Sequence, residues 1–156
     1  MNCISVQHKH LLAYKFMDLI SYHQDDTDYK PNNWKELSEW LISLIESEGS
    51  DPGDIEYIFC SDAKLLEVNR KYLDHDYYTD IITFPLSEEP LEASIFISID
   101  RVRDNAQSFD NSFEDELHRV MAHGLLHMLG YNDTTEEAKK QMRKKENEYL
   151  TKRSWV

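Results

Sequence analysis

The chain has 156 residues, 40% of them hydrophobic, which is the size of one ordinary domain with enough apolar side chain to bury a core. The 30 Asp and Glu outweigh 17 Lys and Arg, and the formal charge of −13 excludes broad nonspecific attraction to nucleic acid or anionic lipid; any RNA contact must come from a local patch. Cys3 and Cys60 are far apart and form no C-x-x-C, which excludes a disulfide framework or a cysteine zinc knot.

The first sixteen residues have weak periodicity, and MNCISVQHKHLLAYKFMDLI lacks both a continuous apolar stretch and a small-residue cleavage site. No run approaches the ~18 apolar residues of a membrane span. The expectation is a cytoplasmic protein with no membrane partner.

DLISYH reads as a short strand. Asn32 or Asn33 then caps a helix, NWKELSEWLISLIESEG, with Trp34, Leu37, Leu41, Leu44 and Ile45 at helical spacing and Gly49 as its stop. DPGD is a turn, IEYIFC a strand, and Ser61 caps the helix DAKLLEVNRKYL. After the loop LDHDYYT, TDIITFPL is a third strand ended by Pro85, ASIFISI a fourth, and RVRDNAQSF a short helix. Ser112, with Asp115 three residues on, resembles a capping box for FEDELHRVMAHGLLHML, whose Leu117, Val120, Met121, Leu125 and Met128 form a wide apolar arc. Thr134 caps the last helix, TEEAKKQMRKKENEYL. The pattern predicts a single α+β domain: a small, about four-stranded mixed sheet packed against several helices, with FEDELHRVMAHGLLHML in the core.

The chemistry gathers in HGLLHMLGYND. His123 and His127, four residues apart on a helix, share one face and point at a common site beside Val120, at the border of the apolar arc. Catalytic zinc takes three protein ligands and keeps a fourth position open. Gly130 is placed to end the helix in a left-handed cap and turn the chain back, so that Asp133 becomes the third ligand of a His₂-carboxylate site. Asn132, His75 or His118 are the rivals, although His118 lies roughly 140° around the helix from His123. A zinc peptidase of the H-E-x-x-H kind needs its base right after the first histidine; here Gly124 stands there. A glycine inside a helix, about 1 kcal/mol worse than alanine, points to close approach by another backbone or a substrate.

These residues resemble the signature H-G-x-L-H-L-x-G-Y-D-H of the YbeY-type endoribonucleases, through His123, Gly124, Leu126, His127, Gly130 and Tyr131. VNRKYLDHDYYTDIITF is similar to the family's L-N-x-x-Y-R-x-x-D-x-x-T-D-V-L-S-F segment through Asn69, Tyr72, Asp76, Thr79, Asp80 and Phe84. ASIFIS resembles its G-D-I-x-I-S strand, and Met142 and Glu146 its Met-x-x-x-Glu. The resemblance implies one Zn²⁺ per chain, a cytoplasmic hydrolase cleaving single-stranded RNA in ribosomal RNA maturation and ribosome quality control, and contacts with small-subunit ribosomal proteins. It also places the domain at residues 17–156 and leaves 1–16 as an N-terminal extension or a misassigned start.

The chain departs from the pattern twice. Asp133 stands at the family's third histidine, with Asn132 at the signature aspartate; a carboxylate for an imidazole lowers the site's net charge by one, making bound water less acidic. Leu73 replaces an arginine that would suit a phosphate clamp, a role that Arg70, Arg101 or Arg103 could take. The resulting expectation is His123, His127 and Asp133 on the metal, with Thr79 and Asp80 forming the opposite wall and Arg70 as the third catalytic candidate. Two other functions fit the residues: a zinc peptidase, and a non-catalytic ribosome assembly factor with a structural zinc. The run KKQMRKK, Lys139 to Lys145, is either an RNA contact or a solvated face balanced by Glu136, Glu137, Glu146 and Glu148.

Overall fold

In the computed structural model, which describes residues 18–156, the elements run β1 (Ile20–Gln24), α1 (Trp34–Ser47), β2 (Pro52–Cys60), α2 (Asp62–Leu73), β3 (Ile81–Glu88), β4 (Leu91–Ser98), α3 (Ile99–Ser108), α4 (Phe113–Met128) and α5 (Glu136–Leu150). The expected extension at residues 1–16 lies outside the described residues. The sheet order is β1-β2-β4-β3, with β1, β2 and β4 parallel and β3 antiparallel to β4. Helix α1 makes the long crossover that the parallel β1–β2 pair requires, whereas a hairpin suffices for β3 and β4. This is the expected α+β domain with a four-stranded mixed sheet.

Side-chain alternation along the strands divides the interior in two. Ile55, Tyr57 and Phe59 of β2 and Ala93, Ile95 and Ile97 of β4 join α1 and α4 in the main core. On the opposite face Cys60 and Ile82 pack with Leu65 and Val68 of α2, flanked by Phe84 and Phe96. Leu117, Val120, Met121 and Leu125 of α4 are all buried, and the Tyr57 hydroxyl donates to the Met121 carbonyl at 3.1 Å. Each such leucine lost to alanine costs about 2–5 kcal/mol, so α4 is a firmly fixed element on which a site can be built.

Four local expectations change. Pro85 does not end β3, which continues to Glu88; β3 is an edge strand, where an absent N–H need not break the ladder. The DPGD turn is absorbed into β2, whose register shifts between Pro52 and Ile55, as a bulge does. Trp34, in the first turn of α1, is 42% exposed, while Trp40 is buried and donates from Nε1 to the Tyr149 carbonyl at 2.8 Å. Thr135 rather than Thr134 caps α5, accepting from the Ala138 N–H at 3.1 Å, because Thr134 is occupied by the Asn132 side chain. The caps at Ser61 and Ser112 form as expected.

Candidate metal centre

Helical spacing places the His123 and His127 rings side by side, with centroids 4.4 Å apart. Gly130 then adopts φ +102°, a conformation that few other residues tolerate. Its N–H donates to the His127 carbonyl at 3.2 Å and that of Tyr131 to the Leu126 carbonyl at 3.0 Å, the two bonds of a Schellman C-cap. The turn returns Asp133 to the histidines: its Oδ2 lies 3.6 Å from His123 Nε2 and 3.5 Å from His127 Nε2. Ligands ~2.0–2.1 Å from a tetrahedral zinc stand roughly 3.3 Å apart, close to both carboxylate–imidazole separations, and all three donor atoms lie within 4.8 Å of one another.

The histidines are oriented from behind. His123 Nδ1 is 2.8 Å from Glu146 Oε1 on α5, and Arg119 Nη1 donates to Glu146 Oε2 at 3.0 Å. An Nδ1–H donated to that buried carboxylate leaves the Nε2 lone pair for a metal, the arrangement that carboxylate–histidine pairs give zinc sites. Burial alone disfavours the His123 imidazolium, but the Glu146 hydrogen bond and charge, with the charges of Asp80 and Asp133, outweigh it and raise the pKa. Burial likewise pushes the Glu146 carboxyl up, and the hydrogen bonds from His123 and Arg119 bring it below the usual range. In the sequence, Glu146 belongs to a Met-x-x-x-Glu match and to the acids that could balance KKQMRKK; its partnership with His123, 23 residues away, depends on α5 packing against α4.

The loop carrying Asp133 has its own anchor, which the sequence did not reveal. Glu48, just past α1, accepts from the Tyr131 hydroxyl at 2.7 Å, from Lys145 Nζ at 3.1 Å and from the Tyr149 hydroxyl. Burial pushes the Glu48 carboxyl up, but these three donors hold it below its ordinary value.

The three candidate ligands face a cleft of about 590 Å³, whose other walls include Tyr77, Thr79, Asp80, Ile81 and Thr83. Thr79 and Asp80 therefore do stand with the histidines. Burial raises the Asp80 carboxyl, more than the His123 charge lowers it. A Cβ at Gly124 would come 2.8 Å from Ile81 Cδ1 and 3.3 Å from Thr83 Oγ1, so side chains of β3, rather than a backbone or a substrate, approach the glycine closely and would have to shift for a larger residue.

Other candidates lie elsewhere. Arg70 pairs with Asp76, Arg101 with Asp62 and, at 3.9 Å, Arg103 with Asp100; none of the three lines the cleft. His118 is buried against Arg153, Trp40 and Trp155, His75 stacks on Tyr77, and Asn132 turns to Thr134. In the basic run, Met142 is buried, while Lys139 and Lys145 pair with Glu136 and Glu48.

A family profile described as "Endoribonuclease YbeY" matches residues 19–154. Proteins of that name from Cytophaga hutchinsonii and Parabacteroides distasonis are 49% and 46% identical, covering 88% and 84% of this chain and 98% and 93% of their own. The solution structure of a Thermotoga maritima protein is similar with a TM-score of 0.59 and 31% identity, over 84% of this chain and 86% of that one. The chain belongs to the YbeY endoribonuclease family.

Proposed function

We propose that this protein is a zinc-dependent endoribonuclease that cleaves phosphodiester bonds of single-stranded RNA, with residues 17–156 as its working domain. The observation that carries the reading is the convergence of His123 Nε2, His127 Nε2 and Asp133 Oδ2 within 4.8 Å at the head of an open cleft, in a chain of this family. One zinc per chain, held by these three atoms, would supply Lewis acidity toward a phosphoryl oxygen and lower the pKa of a water. Glu146 fixes the His123 tautomer, and Glu48 holds the Asp133 loop through Tyr131. Across the cleft Asp80, its pKa raised by burial, is suited to exchange a proton with the reacting groups, and the Thr79 hydroxyl lies beside it. Arg70, the third catalytic candidate, is paired with Asp76 and lies outside the cleft lining.

Two features support an enzyme over a structural zinc: the His127 and Asp133 side chains are 36% and 43% exposed, and the cleft opens beside them, whereas structural sites are closed. The position where a peptidase would carry its base is Gly124, and a larger residue there would have to displace the Ile81 side chain. Among the described residues no helix is long and apolar enough to cross a membrane, which agrees with work in the cytoplasm. Ribosomal RNA and small-subunit ribosomal proteins are the partners this reading takes from the family likeness.

The test is His127→Ala, assayed on single-stranded RNA with zinc content and circular dichroism measured in parallel. Cleavage is expected to fall by at least a hundredfold, with zinc lost and the fold kept; undiminished cleavage would sink the mechanism.

A further inference from the structure

Exposed large hydrophobic residues are unevenly distributed on this protein. Among the described residues eight are exposed, and four of them, Tyr72, Leu73, Tyr77 and Tyr78, fall within the seven positions 72–78. That segment takes in the last two residues of α2 and the start of the loop toward β3, and it borders the metal cleft, with Tyr77 itself in the cleft wall although it is 56% exposed. Burying two tyrosines would have been worth several kilocalories to a fold. Here they are held outside it.

The segment is also built to stay in place. Asn69, only 2% exposed, donates from Nδ2 to the Tyr77 carbonyl at 2.9 Å, and its own carbonyl accepts from the His75 N–H at 3.2 Å. Asp74 takes the left-handed φ of 53° that turns the chain out of α2. The Tyr77 ring lies nearly parallel to His75, at 24° with centroids 5.2 Å apart, and its hydroxyl reaches His75 Nδ1 at 3.1 Å. Beside it the Arg101 guanidinium sits 5.3 Å from the centre of the Tyr78 ring, and Lys71 Nζ 5.0 Å from that of Tyr72. Rings presented rigidly to solvent and flanked by cations are the equipment with which proteins bind unpaired bases.

Charge makes such a surface necessary. The chain carries −13, and the arginines nearest this segment, Arg70 and Arg101, are both committed to aspartates. Attraction to phosphates, which usually supplies most nucleic-acid affinity, is weak here. Stacking depends far less on net charge.

We propose that the segment Tyr72–Tyr78 is a stacking platform for single-stranded RNA, in which Tyr77 takes the base next to the phosphate held in the metal cleft and Tyr78 a neighbouring base. This rests on the endoribonuclease reading and adds to it how substrate is gripped: through base faces, with little regard to sequence, and only where bases are unpaired.

The experiment uses the full-length, zinc-loaded protein, a short fluorescent single-stranded oligoribonucleotide, and the same oligonucleotide with an abasic site beside the cleaved bond. Binding by anisotropy and cleavage kinetics are compared for wild type, Tyr77→Ala, Tyr77→Phe and Tyr78→Ala. Tyr77→Ala is expected to weaken binding about tenfold, with the loss in KM rather than kcat, and Tyr77→Phe to recover most of it because the ring remains. Tyr78→Ala is expected to weaken binding severalfold. The abasic site should weaken wild-type binding about tenfold and add little to Tyr77→Ala, since one stack cannot be lost twice. Equal abasic penalties in wild type and Tyr77→Ala, or loss in Tyr77→Phe as severe as in Tyr77→Ala, overturn the platform while leaving the nuclease reading intact. Ring-dependent binding without any cleavage supports the platform and removes the nuclease reading; a wild type that does not bind RNA removes both.

Discussion

Helix α4 carries three histidines, and the contrast between His118 and the pair His123 and His127 shows what makes a histidine structural. His118 is 6% exposed, packed between Trp40 and Trp155, with Arg153 Nη1 2.8 Å from its Nδ1. Burial and that arginine push its pKa down to about 4, so the ring is neutral and its Nδ1 is used as an acceptor. His123, one and a half turns further on, meets carboxylates instead: Glu146 behind it and Asp133 in front. There the charged state is favoured, and a bound cation would meet the same field. One residue type on one helix thus serves a core and a site, and the sign of the neighbouring charge decides which.

The largest effect that would sharpen this contrast is on stability at the His118 end. A histidine with folded pKa near 4 and unfolded pKa near 6.5 is neutral in both states above pH 6.5. Below that the unfolded chain takes up the proton first, so the stability present at neutral pH is lost as pH falls toward 4. The difference amounts to on the order of 3 kcal/mol. In urea unfolding of chelator-treated protein, wild type minus His118→Gln should lose about that much between pH 7 and pH 4; a pH-independent difference would break the comparison. Zinc affinity of His118→Gln is expected to stay within about twofold of wild type.

Next in size is the partner of His123. Glu146→Gln keeps an acceptor but removes the charge that Arg119 and the imidazole share, and zinc affinity in a competing-chelator titration is expected to fall about tenfold. Unchanged affinity would mean that Glu146 merely fills space. The smallest effect concerns the Asp133 loop. Glu48→Gln leaves one oxygen where Tyr131 and Tyr149 use two and takes from Lys145 its nearer carboxylate, so zinc affinity should fall about threefold and stability by about 1 kcal/mol.

Much of this could be read from local pattern. Ser61 and Ser112 cap the helices they were expected to cap, and His123, His127 and Asp133 converge because an i, i+4 pair and the helix-ending Gly130 are short-range geometry. The differences arise where local pattern depends on tertiary context: whether a proline stops a strand depends on whether the strand lies at an edge, and that is fixed by the β1-β2-β4-β3 order. Trp34 and Trp40 cannot be ranked for burial until α5 brings the Tyr149 carbonyl to one of them.

By itself, then, the sequence determined most of the elements, the mixed α+β class, the family and the convergence of His123, His127 and Asp133, because these rest on periodicity, on motif matches and on contacts within about ten residues. Only the tertiary structure decided what stands behind and around them. Glu146 meets His123 across 23 residues and Glu48 meets Tyr131 across 83, while Ile81 closes on Gly124. Such partnerships follow from how α1, α5 and β3 pack around α4, and packing is a property of the whole core that no short stretch encodes.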